Sequence, residues 1–173
     1  MKKIVASLIL LLAVASGLIA QSSVSICNIP FSPMQEMITE SKAIVHARVL
    51  GVEIYWNEEH TKCYNHYRLL VIQAMKGKLP STITVVTEIA GPDVDERCVA
   101  DSGLNVGSNV IACLEKIPAD WECGYTPRHA FAPYKSVQGL FLLHDSDSGV
   151  THAFHRYHSA EELYSDINTL LIP

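Results

Sequence analysis

Four histidines near the C-terminal end are the first candidates for chemistry. His152, His155 and His158 are spaced by three, and His144 precedes them. Neutral imidazole is a common ligand for zinc and copper, so an ion held by this set would be one of those two. Spacing of three gathers side chains on a helix. Here the segment from Val150 to Phe154 reads as a strand running into a turn, where residues three apart point to opposite faces. His144 lies across the predicted hairpin and can join one of the others. The plainer reading is a row of surface histidines on a polar edge, and no cofactor is expected. No HExxH pattern is present, because Ala153 follows His152.

The five cysteines, Cys27, Cys63, Cys98, Cys113 and Cys123, are all disulfide candidates. An odd number leaves one over, and roughly 15 arrangements of two bridges are open. Cys63 and Cys98 both sit in polar, loop-like surroundings, which favours that pair. No paired CxxC marks a structural zinc site. Asp145, Asp147 and Gly149 suggest a calcium loop but lack its closing glutamate, so they read as a hairpin turn. Asp93, Asp95 and Glu96 read as a solvated loop. Ser102–Gly103 and Ser148–Gly149 are ordinary turn pairs, not the GxSxG of a nucleophile elbow. Tyr55, Trp56, Tyr64 and Tyr67 cluster around one predicted hairpin. Such aromatic residues either cover a core or form a binding surface. Nothing in these patterns points to an enzyme.

The compartment follows from the first residues. Lys2 and Lys3 precede an apolar run from Ile4 to Ala15, the pattern of an export signal. Residues 1–20 are expected to be that signal, cleaved after Ala20, and 21–173 a single secreted or periplasmic domain. No integral membrane span is expected once the signal is removed. An oxidising compartment would permit disulfides. Without Lys2 and Lys3 the chain carries 11 basic and 18 acidic residues. That balance excludes nucleic acid as a natural partner, since phosphate binding needs a basic face.

The elements that must position these residues alternate in period. Pro33 to Ser41 predicts a short helix, with Ser32 as cap and Pro33 at its first position. Ala43 to Trp56 alternates like a strand, as do Cys63 to Met75 and the β-branched run Thr82 to Ile89. A polar loop follows from Ala90 to Gly107, then a strand from Ser108 to Glu115. The segment from Ile117 to Pro133 reads as irregular. Ser136 to Leu143 and Val150 to Phe154 predict a second hairpin. Ser159 with Glu162 forms a capping box for a last helix with the stripe Leu163, Ile167, Leu170 and Leu171. The fold class expected is mainly β: five or six strands in a small barrel or sandwich, with an N-terminal and a C-terminal helix.

One order of motifs is familiar. "AIVHARVLGVEIYW", "YRLLVIQAMKGKLP", "STITVVTEI" and "LNVGSNVIACLEK" follow a cysteine and a short helix. Lys76–Gly77 closes the second strand and Val106–Gly107 opens the fourth. Over Cys27 to Glu115 this resembles the netrin-module and tissue-inhibitor-of-metalloproteinase-like group. The resemblance implies a five-stranded OB barrel and an extracellular module that binds protein without catalysis. In the inhibitors a mature N-terminal cysteine meets the protease zinc through its amine and carbonyl. Only Cys27 matches that role, and Ile29 stands where those inhibitors carry a second cysteine. The expectation is therefore a secreted, non-enzymatic binding module for another protein or an envelope component. Metal binding and metalloprotease inhibition are its alternatives.

Overall fold

The computed structural model describes residues 32–89, 104–124, 127–144, 149–152 and 155–172, with no side chain described for 89 and 137. Seven strands form one sheet. They are β1 (Ala43–Trp56), β2 (Cys63–Lys76), β3 (Thr82–Ile89), β4 (Asn109–Glu115), β5 (Ala130–Pro133), β6 (Leu140–Leu143) and β7 (Val150–Thr151). Helix α1 (Met34–Glu40) precedes them and α2 (Ala160–Leu171) ends the fold. Strands β1, β2, β3, β5 and β4 close into a ring, because β4 also pairs with β1. All neighbours in the ring are antiparallel except β3 and β5. The fold is mainly β, a small OB-like barrel with a helix at each end of the sequence, as the sequence predicts.

Alternation along the strands builds the interior. Val45, Ala47 and Val49 of β1 meet Tyr67 and Leu69 of β2, Ile83 and Val85 of β3, and Val110, Ala112 and Leu114 of β4. Residues of the opposite parity on β1 and β4, Ile44, Ile111 and Cys113, face outward into a second apolar layer. There they pack with Met37 and Ile38 of α1, Phe141 of β6, and Leu163 and Ile167 of α2. Strand β4 is therefore covered on both faces and is buried from Val110 to Leu114.

Local structure departs from the sequence reading at several points. The segment read as irregular contains β5, which pairs with β3 at Thr84↔Ala130 and Val85↔Phe131 and with β4 at Leu114↔Pro133. Four residues ending in proline carry too little periodicity to read as a strand. In α1 the cap position falls on Pro33, not Ser32. Ser32 is buried, and its N–H donates to Gln138 Oε1 at 3.0 Å. The other end of α1 is closed by Ser41, whose hydroxyl donates to the Met37 carbonyl, and by Lys76. The Lys76 ammonium donates to the carbonyls of Ile38 and Thr39, each at 2.7 Å.

Gly77 has φ of +84°, and a Cβ there would stand 3.0 Å from the Lys42 carbonyl. That is why a glycine follows Lys76 where β2 ends. Residues Ser136–Gly139, expected at the start of a strand, form a 3₁₀ turn that delivers β6. At Gly139 a Cβ would lie 2.5 Å from the Cys113 carbonyl and 2.6 Å from the Tyr134 nitrogen, so the turn lies directly on β4. In α2 the Ser159 hydroxyl accepts from Glu162 N–H, and Glu162 Oε2 accepts from His158 N–H. The reciprocal cap is thus made, with its return bond one residue earlier than in the usual box. Leu163 and Ile167 are buried, whereas Leu170 is exposed. The expected export signal, Phe154 and most of the polar loop after β3 lie outside the described residues. Among the described residues no helix is long and apolar enough to cross a membrane.

Candidate functional site

Strand β1 is twice as long as β4, and the site follows from that mismatch. β4 accompanies β1 over Ala43–Arg48. The ladder ends where Val49 N–H donates to the Ser108 carbonyl and Gly107 N–H to the Val49 carbonyl. A register shift between Val49 and Gly51 marks a bulge. Beyond it, among the described residues, β1 continues with only β2 beside it. Val52, Ile54 and Trp56 oppose Tyr67, Asn65 and Cys63 in register. Their side chains leave the same face as the barrel interior, yet they are 43%, 51% and 49% exposed.

The turn that ends this hairpin is built by Asn57. Its side-chain carbonyl accepts from the N–H groups of Thr61 (2.8 Å) and Lys62 (2.9 Å). Its amide nitrogen donates to Thr61 Oγ1 and to Glu122 Oε2, at 3.0 and 3.2 Å. Glu122 is thereby held beside the turn. With Trp56, Glu58, Glu59 and Gly124 these residues line a bowl of about 390 Å³. The neighbouring cation Lys62 is paired with Glu88 at 3.5 Å. The bowl is therefore lined by three carboxylates and the Trp56 side chain, a composition suited to a cationic side chain.

The other face of the hairpin is different. Glu53 accepts a hydrogen bond from the Tyr55 hydroxyl at 2.7 Å, and the Tyr55 ring lies 4.3 Å from that of His66. Burial holds His66 below the usual imidazole range, partly offset by the Cys123 backbone and the Glu53 charge. These residues and Arg68 line a shallow cleft of about 360 Å³.

Of the four aromatic residues read as a binding surface or a core cover, the structure exposes Trp56 and half-buries Tyr55. Tyr64 and Tyr67 are buried and serve the core, the other of the two places that the sequence left open for them. Tyr67 points into the barrel, and Tyr64 packs under Trp121 with Val86 and Cys123.

The histidines are only partly brought together. The rings of His152 and His155 lie 5.0 Å apart. The Gln138 carbonyl, which can only accept, is 2.7 Å from His152 Nε2, so Nε2 carries the proton. His152 Nδ1 then accepts from His155 N–H at 2.9 Å. Both nitrogens are engaged, the ring stacks on Phe141 at 4.1 Å, and burial pushes its pKa down to about 4. His144 bonds to Thr151 Oγ1 and His158 is exposed beside the α2 cap. Among the described residues no three His, Cys, Asp or Glu side chains form a metal-binding group.

Cys63, Cys113 and Cys123 are buried in the described structure. Burial raises the Cys113 thiol to about 12, against the opposing effects of Ser41 and Lys76. Cys27 and Cys98 lie outside the described residues, and with them the favoured Cys63–Cys98 pair.

Sequence reasoning missed Val52, Ile54, Asn57 and Glu122. The first two carry no signal of exposure, since their residue types are those of a buried strand. Comparison of the chain with protein-family models, curated proteins and solved structures finds no match.

Proposed function

We propose that this chain is a secreted, non-enzymatic binding module whose β1–β2 hairpin docks another protein. The observation that carries the reading is the exposure of Val52, Ile54 and Trp56 on one face where the barrel ends. Scattered apolar residues on a surface need no account, but a contiguous row beside an indole is the composition of an interface centre. Membership of the netrin-module and metalloproteinase-inhibitor-like group belongs to the same proposal. The five-stranded ring and flanking helices support it. The two lysines and apolar run at the start of the sequence support export.

A retention experiment tests the reading. The exported chain is immobilised and exposed to the secreted and envelope fractions of the cells that make it. A partner should be held by the natural chain and by a Leu170→Asp control on the exposed side of α2. Ile54→Asp and Trp56→Asp should lose it. Equal retention by all four proteins would place the binding surface elsewhere.

A further inference from the structure

The same three residues that expose apolar side chains also expose backbone. Asn57 N–H donates to the Lys62 carbonyl across the hairpin at 3.0 Å. In an antiparallel pair, the groups of alternate residues point toward and away from the neighbouring strand. The N–H and C=O groups of Trp56, Ile54 and Val52 therefore point away from β2, to the side that β4 has already left. Among the described residues nothing pairs with that edge from Leu50 to Trp56. Proteins usually blunt such an edge with lysine or proline. Leu50–Trp56 contains neither, and its single charge, Glu53, is engaged by Tyr55 on the opposite face.

From this juxtaposition we infer that β1 accepts an extended segment of a partner protein as an added strand, and that the segment is basic. Main-chain hydrogen bonds to Val52, Ile54 and Trp56 give the pairing, and alternate apolar side chains of the partner cover theirs. A lysine or arginine at the end of the segment enters the bowl formed by Trp56, Glu58, Glu59 and Glu122. Charge selects this occupant over a second copy of the chain. Two copies paired in parallel, edge to edge, would bring their acidic turns together, and the net charge of −5 opposes self-association in either direction. The inference rests on the reading of the hairpin as a protein-binding site and specifies the chemistry of what binds there.

Two synthetic peptides test it with the unaltered protein. Valine and threonine alternate in both; one has arginine at each end and the other glutamate. Amide hydrogen exchange is followed by NMR. The arginine peptide should slow exchange at Val52, Ile54 and Trp56 by about tenfold or more, and the glutamate peptide should not. No slowing at these amides overturns strand addition. Equal slowing by both peptides overturns the basic partner. Slowing in the protein alone on raising its concentration, with a dimer in sedimentation, overturns the choice of a foreign segment. Val52→Pro removes one outward N–H without touching the β2 ladder. It should abolish peptide protection at Ile54 and Trp56. If partner retention survives Val52→Pro but not Ile54→Asp, the protein-binding site stands and strand addition falls. If retention survives both, the site itself falls.

Discussion

The two halves of β1 differ in their neighbours far more than in their residues. Ala43–Val49 and Leu50–Trp56 are both rich in β-branched and other apolar residues. In the first half β2 and β4 flank the strand, the barrel core lies on one face and the helical layer on the other. In the second half, among the described residues, no strand pairs with one edge, and one apolar face is exposed. Strand propensity is satisfied equally in both, because it reports fit to a pleated surface rather than burial. What separates them is where β4 stops. A strand that outruns its partner carries core-like residues into solvent, and under the proposed function they serve recognition there instead of stability.

Substitutions in the two halves should therefore separate stability from binding. The largest effect belongs to the partner of the first half. Leu114→Ala empties a fully buried site opposite Ala43 and should cost about 2–5 kcal/mol in chemical denaturation. A loss below that range would mean that the barrel interior collapses around the vacancy.

Acid comes next. His46, in the first half, accepts from or donates to the Tyr164 hydroxyl at 2.6 Å, and its Nε2 is buried without a hydrogen-bond partner. Burial and the nearby Arg48 charge hold His46 low, and burial holds His66 and His152 low as well. A histidine depressed in the fold binds protons more readily when unfolded. Its contribution is present above the ordinary imidazole pKa near 6.5 and is lost as pH falls below it, for His152 down to about 4. His152 keeps some solvent contact, so its share at pH 4 is about 1–2 kcal/mol rather than the value for a fully buried ring. Thermal melts between pH 7 and pH 4 should show the fall. His152→Asn should flatten its lower part, and a slope unaffected by that change would assign the acid sensitivity to other groups.

The smallest effect is the sharpest for the comparison. Ile54→Asp should change stability by no more than about 0.5 kcal/mol, measured by the same denaturation, while removing partner retention. A loss of several kcal/mol would show that the second half is structural after all.

Legibility from sequence divides along similar lines. Strands β1 and β3 run over the residues that alternation predicts, because long periodic runs state their own limits. Strand β5 was hidden. It exists through non-local pairing with β3 and β4, and its own residues, Ala130–Pro133, carry no period. The α2 cap was legible, since Ser159 and Glu162 act locally. The candidate site was legible only at Trp56. Tyr64 and Tyr67 have the residue types of a surface platform but lie on strand faces that the barrel and the segment around Trp121 cover. Conversely, Val52 and Ile54 look like core. Only the length of β4, a property of another strand, decides which half of β1 is open.

The seam between β3 and β5 carries a last consequence, in the order of folding. Strands β1, β2 and β3 are joined by short connections and form one meander. The ring closes through two pairings that are distant in sequence: β1 with β4 over Ala43–Arg48, and β3 with β5 at Thr84↔Ala130 and Val85↔Phe131 with the bond from Thr84 N–H to the His129 carbonyl. These contacts join segments far apart in sequence, so the loop entropy between them is met before they repay it. The meander is therefore expected to form early and both of these pairings late. Of the two, the β3–β5 seam is the smaller, two register pairs against six for β1 and β4, so an opening of the barrel is expected to start there, with β1, β2 and β3 still paired and the Leu50–Trp56 edge still in place.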